Sequence, residues 1–359
     1  MALMTCISRA MKVLHIVPDT VYDEEHRFSG GAKGIRIFRE YLEDRAICYD
    51  EIGVPNRSDR WLLKELKCRD LSEYTTVLAH YPVYVRSLRY LKSAYPGLST
   101  LVRSHNAEFP HWLQHAWVWL RHGRVLKSVK AFGVAFQKGW GDLCSAKLAD
   151  HVLAVTSWER DHYWGHIAGR GRVVYVPYFV PRDSAPPARR VHAPRLDQVV
   201  CMMSSGSSSF LVDGAVRFGR LADAASSQTA GWRFLMTGRE NSLPPVIPLV
   251  VKRTGFVDDP HALLHESRAI ALLTDYGFGF KTKILEAAVC GCWSLVTPHI
   301  FERLPEDVRP YCIVVADNCA ASFVTALEKT RAALPQANLD ALLRAQAYVA
   351  MDHVMGLKS

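Results

Sequence analysis

RAIALLTDYGFGFKTKILEAAVCG, residues 268–291, contains the repeating unit of the fold: an apolar run, a turn with two glycines, then an amphipathic run of helical period. RAIALLT (268–274) is short, apolar and closed by a turn, as expected of a buried parallel strand. Gly277 and Gly279 break it, and a helix is expected to begin near Lys281. Lys281 and Lys283 then fall in that helix's first turn, where the positive end of the dipole disfavours cations. An anion docked on the free N–H groups reverses that penalty, and a diphosphate is the natural candidate. Lys283 and Glu286 share one helix face. A carboxylate one turn inward from a phosphate is placed to accept two hydrogen bonds from a ribose diol. The spacing fits equally a solvated helix start with Lys283 and Glu286 as a surface pair.

The same unit repeats in both directions. Upstream, KVLHIVP (12–18), YTTVLAHYP (74–82), TLVRSHNAE (100–108), HVLAVTS (151–157) and RVVYVP (172–177) read as strands, and GIRIFREYLEDR (34–45) as a helix. A proline-rich stretch follows, with Pro177, Pro181, Pro186, Pro187 and Pro194, which disfavours both helix and central strand. The alternation restarts at QVVCMMSSG (198–206) and continues through WRFLMTG (232–238) and WSLVT (293–297). The expected architecture is α/β: two Rossmann-like domains facing a central cleft, at 11–180 and 197–335, joined by a linker at 181–196. A helical tail over 336–359 is expected to return to the first domain. Ligands should sit at the carboxyl ends of the strands.

Bulk properties agree with this reading and narrow the partners. At 359 residues, with 49% hydrophobic and 22% charged residues, the chain has the composition of a globular protein of two cores. No apolar run is long enough to cross a bilayer, and the first ten residues, MALMTCISRA, are too weak for a secretory signal and read as a short disordered leader. Nine scattered cysteines without a C-x-x-C suggest reduced thiols and a cytoplasmic setting. The net charge of +9 points to an anionic partner. Zinc-finger, helix-turn-helix and RNP-type signatures are missing, so nucleic acid is not the expected one. No two aspartates are separated by one residue, and no His/Cys cluster has zinc spacing. A leaving diphosphate would then be stabilised by amides, helix dipole and lysines, with no metal and no further cofactor.

The run G-F-G-F-K-T-K-I-L-E-A-A-x-x-G (277–291) resembles the donor motif of glycosyltransferase family 4, the large retaining GT-B family, in its G-x-G-x-K-x-K-x-L-E subgroup. The resemblance implies a transferase moving a sugar from a nucleotide-diphosphate sugar, UDP- or GDP-linked, to a hydroxyl acceptor with retention. Glu286 would bind the ribose. Gly277, Phe278, Gly279, Phe280, Lys281, Thr282 and Lys283 would surround the diphosphate and donor sugar. Phe278 stands where many members carry a glutamate, which leaves the sugar open. SGGAK (29–33) resembles the first-domain glycine loop, with Gly30 and Gly31 letting backbone approach the phosphates. RSHNAE (103–108) resembles the histidine-bearing strand end, which places His105 beside the reacting sugar. TGFVDDPHALL (254–264) resembles the segment beside the nucleobase, with Phe256 in it. The same likeness assigns donor contacts to Gly238 and Arg239 and to Ser204 and Gly206. It departs at SSGSSSFLVDG (204–214), where a basic pair is usual, and at Tyr178-Phe179, where asparagine-glycine is usual. A nucleotide-sugar epimerase, a phosphorylase or a catalytically impaired GT-B scaffold would share much of the pattern.

Residues 109–141 hold Arg121, Arg124, Lys127, Lys130 and Lys138 without an acid, interleaved with Trp112, Trp117, Trp119 and Trp140. Such a helical segment suits an anionic membrane surface, the inner face in a cytoplasmic protein, and a lipid-linked glycan as acceptor. It suits equally a helix that buries its aromatics in the first domain.

Overall fold

The computed structural model describes residues 11–23, 29–121, 123–185, 195–203 and 209–357. The leader and Pro186, Pro187 and Pro194 lie outside this range. Strands β1 (Lys12–Pro18), β2 (Cys48–Val54), β3 (Thr76–His80), β4 (Ser99–Arg103), β5 (His151–Ala154) and β6 (Val173–Tyr175) form one parallel sheet, in the order β2-β1-β3-β4-β5-β6. Strands β7 (Leu196–Met202), β8 (Arg233–Thr237), β9 (Val251–Gly255), β10 (Ser267–Leu272), β11 (Trp293–Val296) and β12 (Cys312–Val314) form the second, in the order β12-β11-β10-β7-β8-β9.

In the first half the helices are α1 (Gly30–Asp44), α2 (Asp59–Lys67), α3 (Val85–Ala94), α4 (Glu108–Arg121), α5 (Val125–Leu148) and two short pieces, α6 (Ser157–Glu159) and α7 (Gly165–Ala168). In the second they are α8 (Ser209–Ala224), α9 (Pro260–Glu266), α10 (Thr282–Val289), α11 (Pro298–Arg303) and α12 (Ala320–Lys329), followed by α13 (Leu339–Met355). The chain has the GT-B fold.

Strand alternation gives each sheet two apolar faces. In the first, Leu14, Ile16, Val77 and Ala79 pack under α2 and α3, while Val13, Leu78 and Leu101 face Ile37, Phe38 and Tyr41 of α1. As the tail was expected to do, α13 returns to the first domain. Asp352 accepts hydrogen bonds from Tyr41 (2.9 Å) and Arg45 (2.8 and 2.6 Å), and Arg344 pairs with Glu40. The described part of the linker is tied down too, because Arg182 of the short turn Arg182–Ser184 reaches Asp44.

β2, β9 and β12 are absent from the sequence reading. Each lies at a sheet edge, and β2 and β9 expose polar residues along much of their length, unlike the buried central strands.

Each sheet has one place where the connections reverse direction, between β1 and β3 in the first and between β7 and β10 in the second. Helices and loops leave the strand ends there and open crevices, the usual location of ligands in open α/β sheets.

Candidate functional site

The two reversal points face each other. α1 leaves the first, with Ser29 as its N-cap accepting from Ala32 N–H at 3.1 Å. α10 leaves the second; it begins at Thr282, with Lys281 at the cap. A Cβ built on Gly30 would lie 3.4 Å from Thr282, so the two helix N-termini meet across the cleft. Two positive dipole ends pointing at one another form an unfavourable arrangement that an anion between them relieves.

One turn into each helix the cleft is bridged. Lys33 Nζ lies 2.7 Å from Glu286 Oε1, with both side chains almost wholly buried. Lys283 therefore does not form the surface pair that its spacing allowed; its ammonium donates to the carbonyl of Met202 at the end of β7. Lys281 folds back toward Gly277. Burial pushes both ammonium groups down to about 8.

The glycine turn is held by the opposite domain. Gly277 N–H donates to Gln114 Oε1 and Gly279 N–H to Asn106 Oδ1, both at 2.8 Å. At Gly279 the approach is so close that a Cβ would sit 2.6 Å from the carbonyl oxygen of His105. Gly277 adopts φ +92°, a conformation glycine takes without cost. The amides expected to receive a diphosphate thus bind side-chain amide oxygens in this closed arrangement.

Phe278 packs at a tilt on Trp158, 5.4 Å away, and the Arg303 guanidinium lies over both rings, at 5.3 and 4.9 Å, where the related motif carries a carboxylate. Phe280 packs on Tyr178 at 5.6 Å, the position of the second departure from the family pattern. Gly238 takes φ +141° at the end of β8, and Arg239 lies over the exposed Phe256 ring at 5.4 Å. These residues follow β8 and β9, at the same carboxyl edge as the α10 loop. Ser204 and Gly206 lie outside the described residues.

His105 follows β4 at the cleft, half-buried, its ring stacked on Tyr81 at 4.3 Å and its Cε1 within 3.0 Å of a Cβ on Gly34. Gly31 serves the same contact: a Cβ there would fall 2.6 Å from the Tyr81 hydroxyl. Tyr81 itself has φ +77°, a costly conformation for a bulky residue, and Arg57 covers its other face at 3.8 Å. Behind His105 lie His80 and His15, both without solvent exposure, and then Glu51. Sequence reasoning missed Tyr81, His80, His15 and Glu51. The available signal was one histidine within each of the apolar runs of β1 and β3, with His105 just past the end of β4.

Helices α4 and α5 form an antiparallel hairpin beside the cleft, and the tryptophans divide between its two sides. Trp112 and Trp119 turn inward around His115, which stacks on Phe210 at 4.0 Å. Trp117 and Trp140 are exposed, at 53% and 67%. No described helix is long and apolar enough to cross a membrane.

No protein-family model and no curated protein sequence matches the chain significantly. Solved structures do. Sucrose-phosphate synthase from Thermosynechococcus elongatus superposes with a TM-score of 0.62 at 12% identity, over 96% of this chain and 95% of that one. The lipopolysaccharide outer core galactosyltransferase WaaB gives 0.56 at 12% identity, over 96% and 99%. A putative UDP-N-acetylglucosamine 2-epimerase from Listeria monocytogenes gives 0.56 at 10% identity, over 97% and 98%. The two-domain architecture is shared with all three.

Proposed function

We propose that the chain is a retaining, metal-independent glycosyltransferase using a nucleotide-diphosphate sugar, UDP- or GDP-linked. The observation that carries this reading is the pair of facing helix N-termini, α1 at Gly30 and α10 at Thr282, with Lys33, Lys281 and Lys283 around them and Glu286 one turn deeper. The diphosphate lies between the helix ends, its oxygens replacing Gln114 and Asn106 on the Gly277 and Gly279 amides. Glu286 Oε2, which bonds no described residue, accepts from the ribose. Arg239 and Phe256 flank the base, Phe278 and Phe280 line the sugar pocket, and His105 sits beside the reacting carbon. Charge growing on the leaving phosphate is met by amides, dipoles and lysines already in place, which stabilises the transition state without reorganisation. In a front-face reaction that phosphate takes the acceptor's proton, so retention needs no enzymic nucleophile.

Calorimetric titration with UDP, GDP and their sugar conjugates, followed by transfer assays, tests the proposal. Donor consumption that requires an acceptor supports it. Conversion of the donor sugar without acceptor would make the protein an epimerase, phosphate-dependent cleavage a phosphorylase, and no nucleotide binding a scaffold.

The acceptor reading rests on the outer side of the α4–α5 hairpin. Leu126, Val129, Gly133, Phe136 and Trp140 follow a three-four spacing along α5, and Leu126, Phe136 and Trp140 are 88%, 68% and 67% exposed. Arg121, Arg124, Lys127 and Lys130 border the stripe. An apolar stripe edged by cations and free of acids fits the interface of an anionic bilayer, each Lys or Arg adding about 1 kcal/mol. The acceptor would then be lipid-linked, presented beside the cleft at a cytoplasmic leaflet. Sedimentation with anionic but not neutral vesicles, weakened by salt and abolished in Phe136→Glu with Trp140→Glu, is the expected result. Unchanged binding in that variant would remove the hairpin from the membrane.

A further inference from the structure

The inward face of the first sheet carries a chain of polar side chains. In the register of β1 and β2, His15 pairs with Glu51, and in that of β1 and β3 it pairs with Leu78, two residues before His80. His80 in turn pairs with Arg103 of β4, two residues before His105. Side chains two apart on a strand share a face. Glu51, His15, His80 and His105 therefore run across four strands on the α1 side, where the neighbouring positions are Val13, Leu78, Leu101 and the buried Arg103, whose guanidinium lies over Phe38 of α1.

The contacts are continuous. Glu51 Oε2 lies 2.9 Å from His15 Nδ1, His15 Nε2 lies 2.8 Å from His80 Nε2, and His80 Nδ1 lies 2.9 Å from His105 Nε2. These nitrogen separations are direct hydrogen bonds, shorter than the ~3.3 Å that two imidazoles keep on a shared tetrahedral zinc ion. Glu51 also receives both arms of Arg39, at 2.9 and 2.7 Å, and the Tyr22 hydroxyl.

The proton positions follow. Held by a guanidinium, Glu51 is a carboxylate, and its anionic oxygen 2.9 Å from His15 Nδ1 favours the tautomer with the proton on Nδ1 and not on Nε2. The proton between His15 and His80 then sits on His80, and the one between His80 and His105 sits on His105 Nε2. Nδ1 of His105 is left as a lone pair. It faces Gly34 in the second turn of α1, with no partner among the described residues. Burial, foremost, keeps all three rings below the usual histidine range and hence neutral, as this assignment requires. Both imidazole–imidazole hydrogen bonds donate toward Glu51, whose carboxylate meets His15 Nδ1 at 2.9 Å, and aligned hydrogen bonds polarise one another, which enriches the free end.

We propose that Glu51, His15 and His80 are positioning residues that lock His105 in its Nε2–H tautomer and hold Nδ1 at the cleft as an acceptor for a hydroxyl of the bound sugar. The tautomer lock depends only on this chain; the hydroxyl partner rests on the glycosyltransferase reading.

Long-range ¹H–¹⁵N NMR on histidine-labelled full-length protein reads the tautomer without any need for activity. His105 is expected wholly in the Nε2–H form. In His80→Phe, which fills the space and breaks the chain, the Nδ1–H form should appear. The kcat should fall about tenfold, with donor KM changed less than about twofold. Glu51→Gln keeps the shape and removes the charge, and should give the same change of tautomer more weakly, so a His80 variant that fails to fold does not end the test. An unchanged Nε2–H signal in either folded variant overturns the lock. A shifted tautomer in a protein that transfers no sugar would retain the lock and reject the glycosyltransferase reading. An unshifted tautomer alongside activity lost in His105→Ala would do the reverse.

Discussion

Breaking the Lys33–Glu286 pair should reveal how tightly the two domains are joined at the site. The ions are 2.7 Å apart, with side chains 7% and 5% exposed. At an effective dielectric of ~20 their gross attraction is about 6 kcal/mol, most of which offsets desolvation. Removing one partner strands the other, so Lys33→Met and Glu286→Gln should each destabilise the protein by about 3–5 kcal/mol. The double variant removes both charges of the pair and should lose less than the sum, giving a coupling energy of at least ~2 kcal/mol. Urea unfolding of the four proteins, followed by circular dichroism, supplies the cycle. Donor calorimetry adds a separate number: Glu286→Ala should weaken nucleotide-sugar binding by about 1–3 kcal/mol, the scale of a lost charge-assisted acceptor. Single variants that each cost under ~1 kcal/mol and add in the double would refute the bridge. Unchanged donor affinity in Glu286→Ala would take the carboxylate out of the nucleotide site.

Four further outcomes are expected. His105→Ala should lower transfer at least about tenfold with folding intact, as judged by turnover assays beside circular dichroism. Transfer should survive EDTA, and activity lost to chelator and restored by Mn²⁺ would defeat the metal-free mechanism. Lys281 and Lys283 lose their charge as pH rises through about 8, so donor affinity should decline above that pH and binding near pH 8.5 should take up protons. Titrations in buffers of different ionisation enthalpy measure that uptake, and a value of zero would place the lysines away from the phosphates. Gln114→Ala should raise donor affinity several-fold if its oxygen occupies a phosphate position on Gly277, since the donor then has one less hydrogen bond to displace. A lower affinity would make Gln114 a donor ligand instead.

The sequence revealed the elements whose physics is local. β1 was legible to the residue, because KVLHIVP is an apolar run bounded by polar and proline signals. The α10 loop was legible because two glycines, two lysines and a glutamate fall within ten consecutive residues, from Gly277 to Glu286, and stay near one another whatever the tertiary fold. β2 and β9 were not, since edge strands can carry polar residues that sequence patterns assign to loops. Lys33 stands in the sequence only as the end of a glycine motif; its partner is 253 residues away, and no spacing rule connects them.

The histidine chain shows where local reading stops. His15, His80 and His105 each look like a single polar intruder in a strand, and each taken alone is most economically a satisfied core residue. They become one unit only when the strand order β2-β1-β3-β4 places their inward positions side by side. Three imidazoles in a largely apolar core that also holds the buried Arg103 forgo the ~1.5–3 kcal/mol that a buried aliphatic side chain contributes at each position. A hydrogen-bonded row returns part of that, and only while every member is present, because one apolar replacement leaves two ring nitrogens without partners in the sheet interior. The row also ends at the strained Tyr81 and at the cleft. A purely structural cluster would gain as much by stopping at His80, fully buried and one strand short of the site. Its extension to His105 ties the row to whatever lies in the cleft.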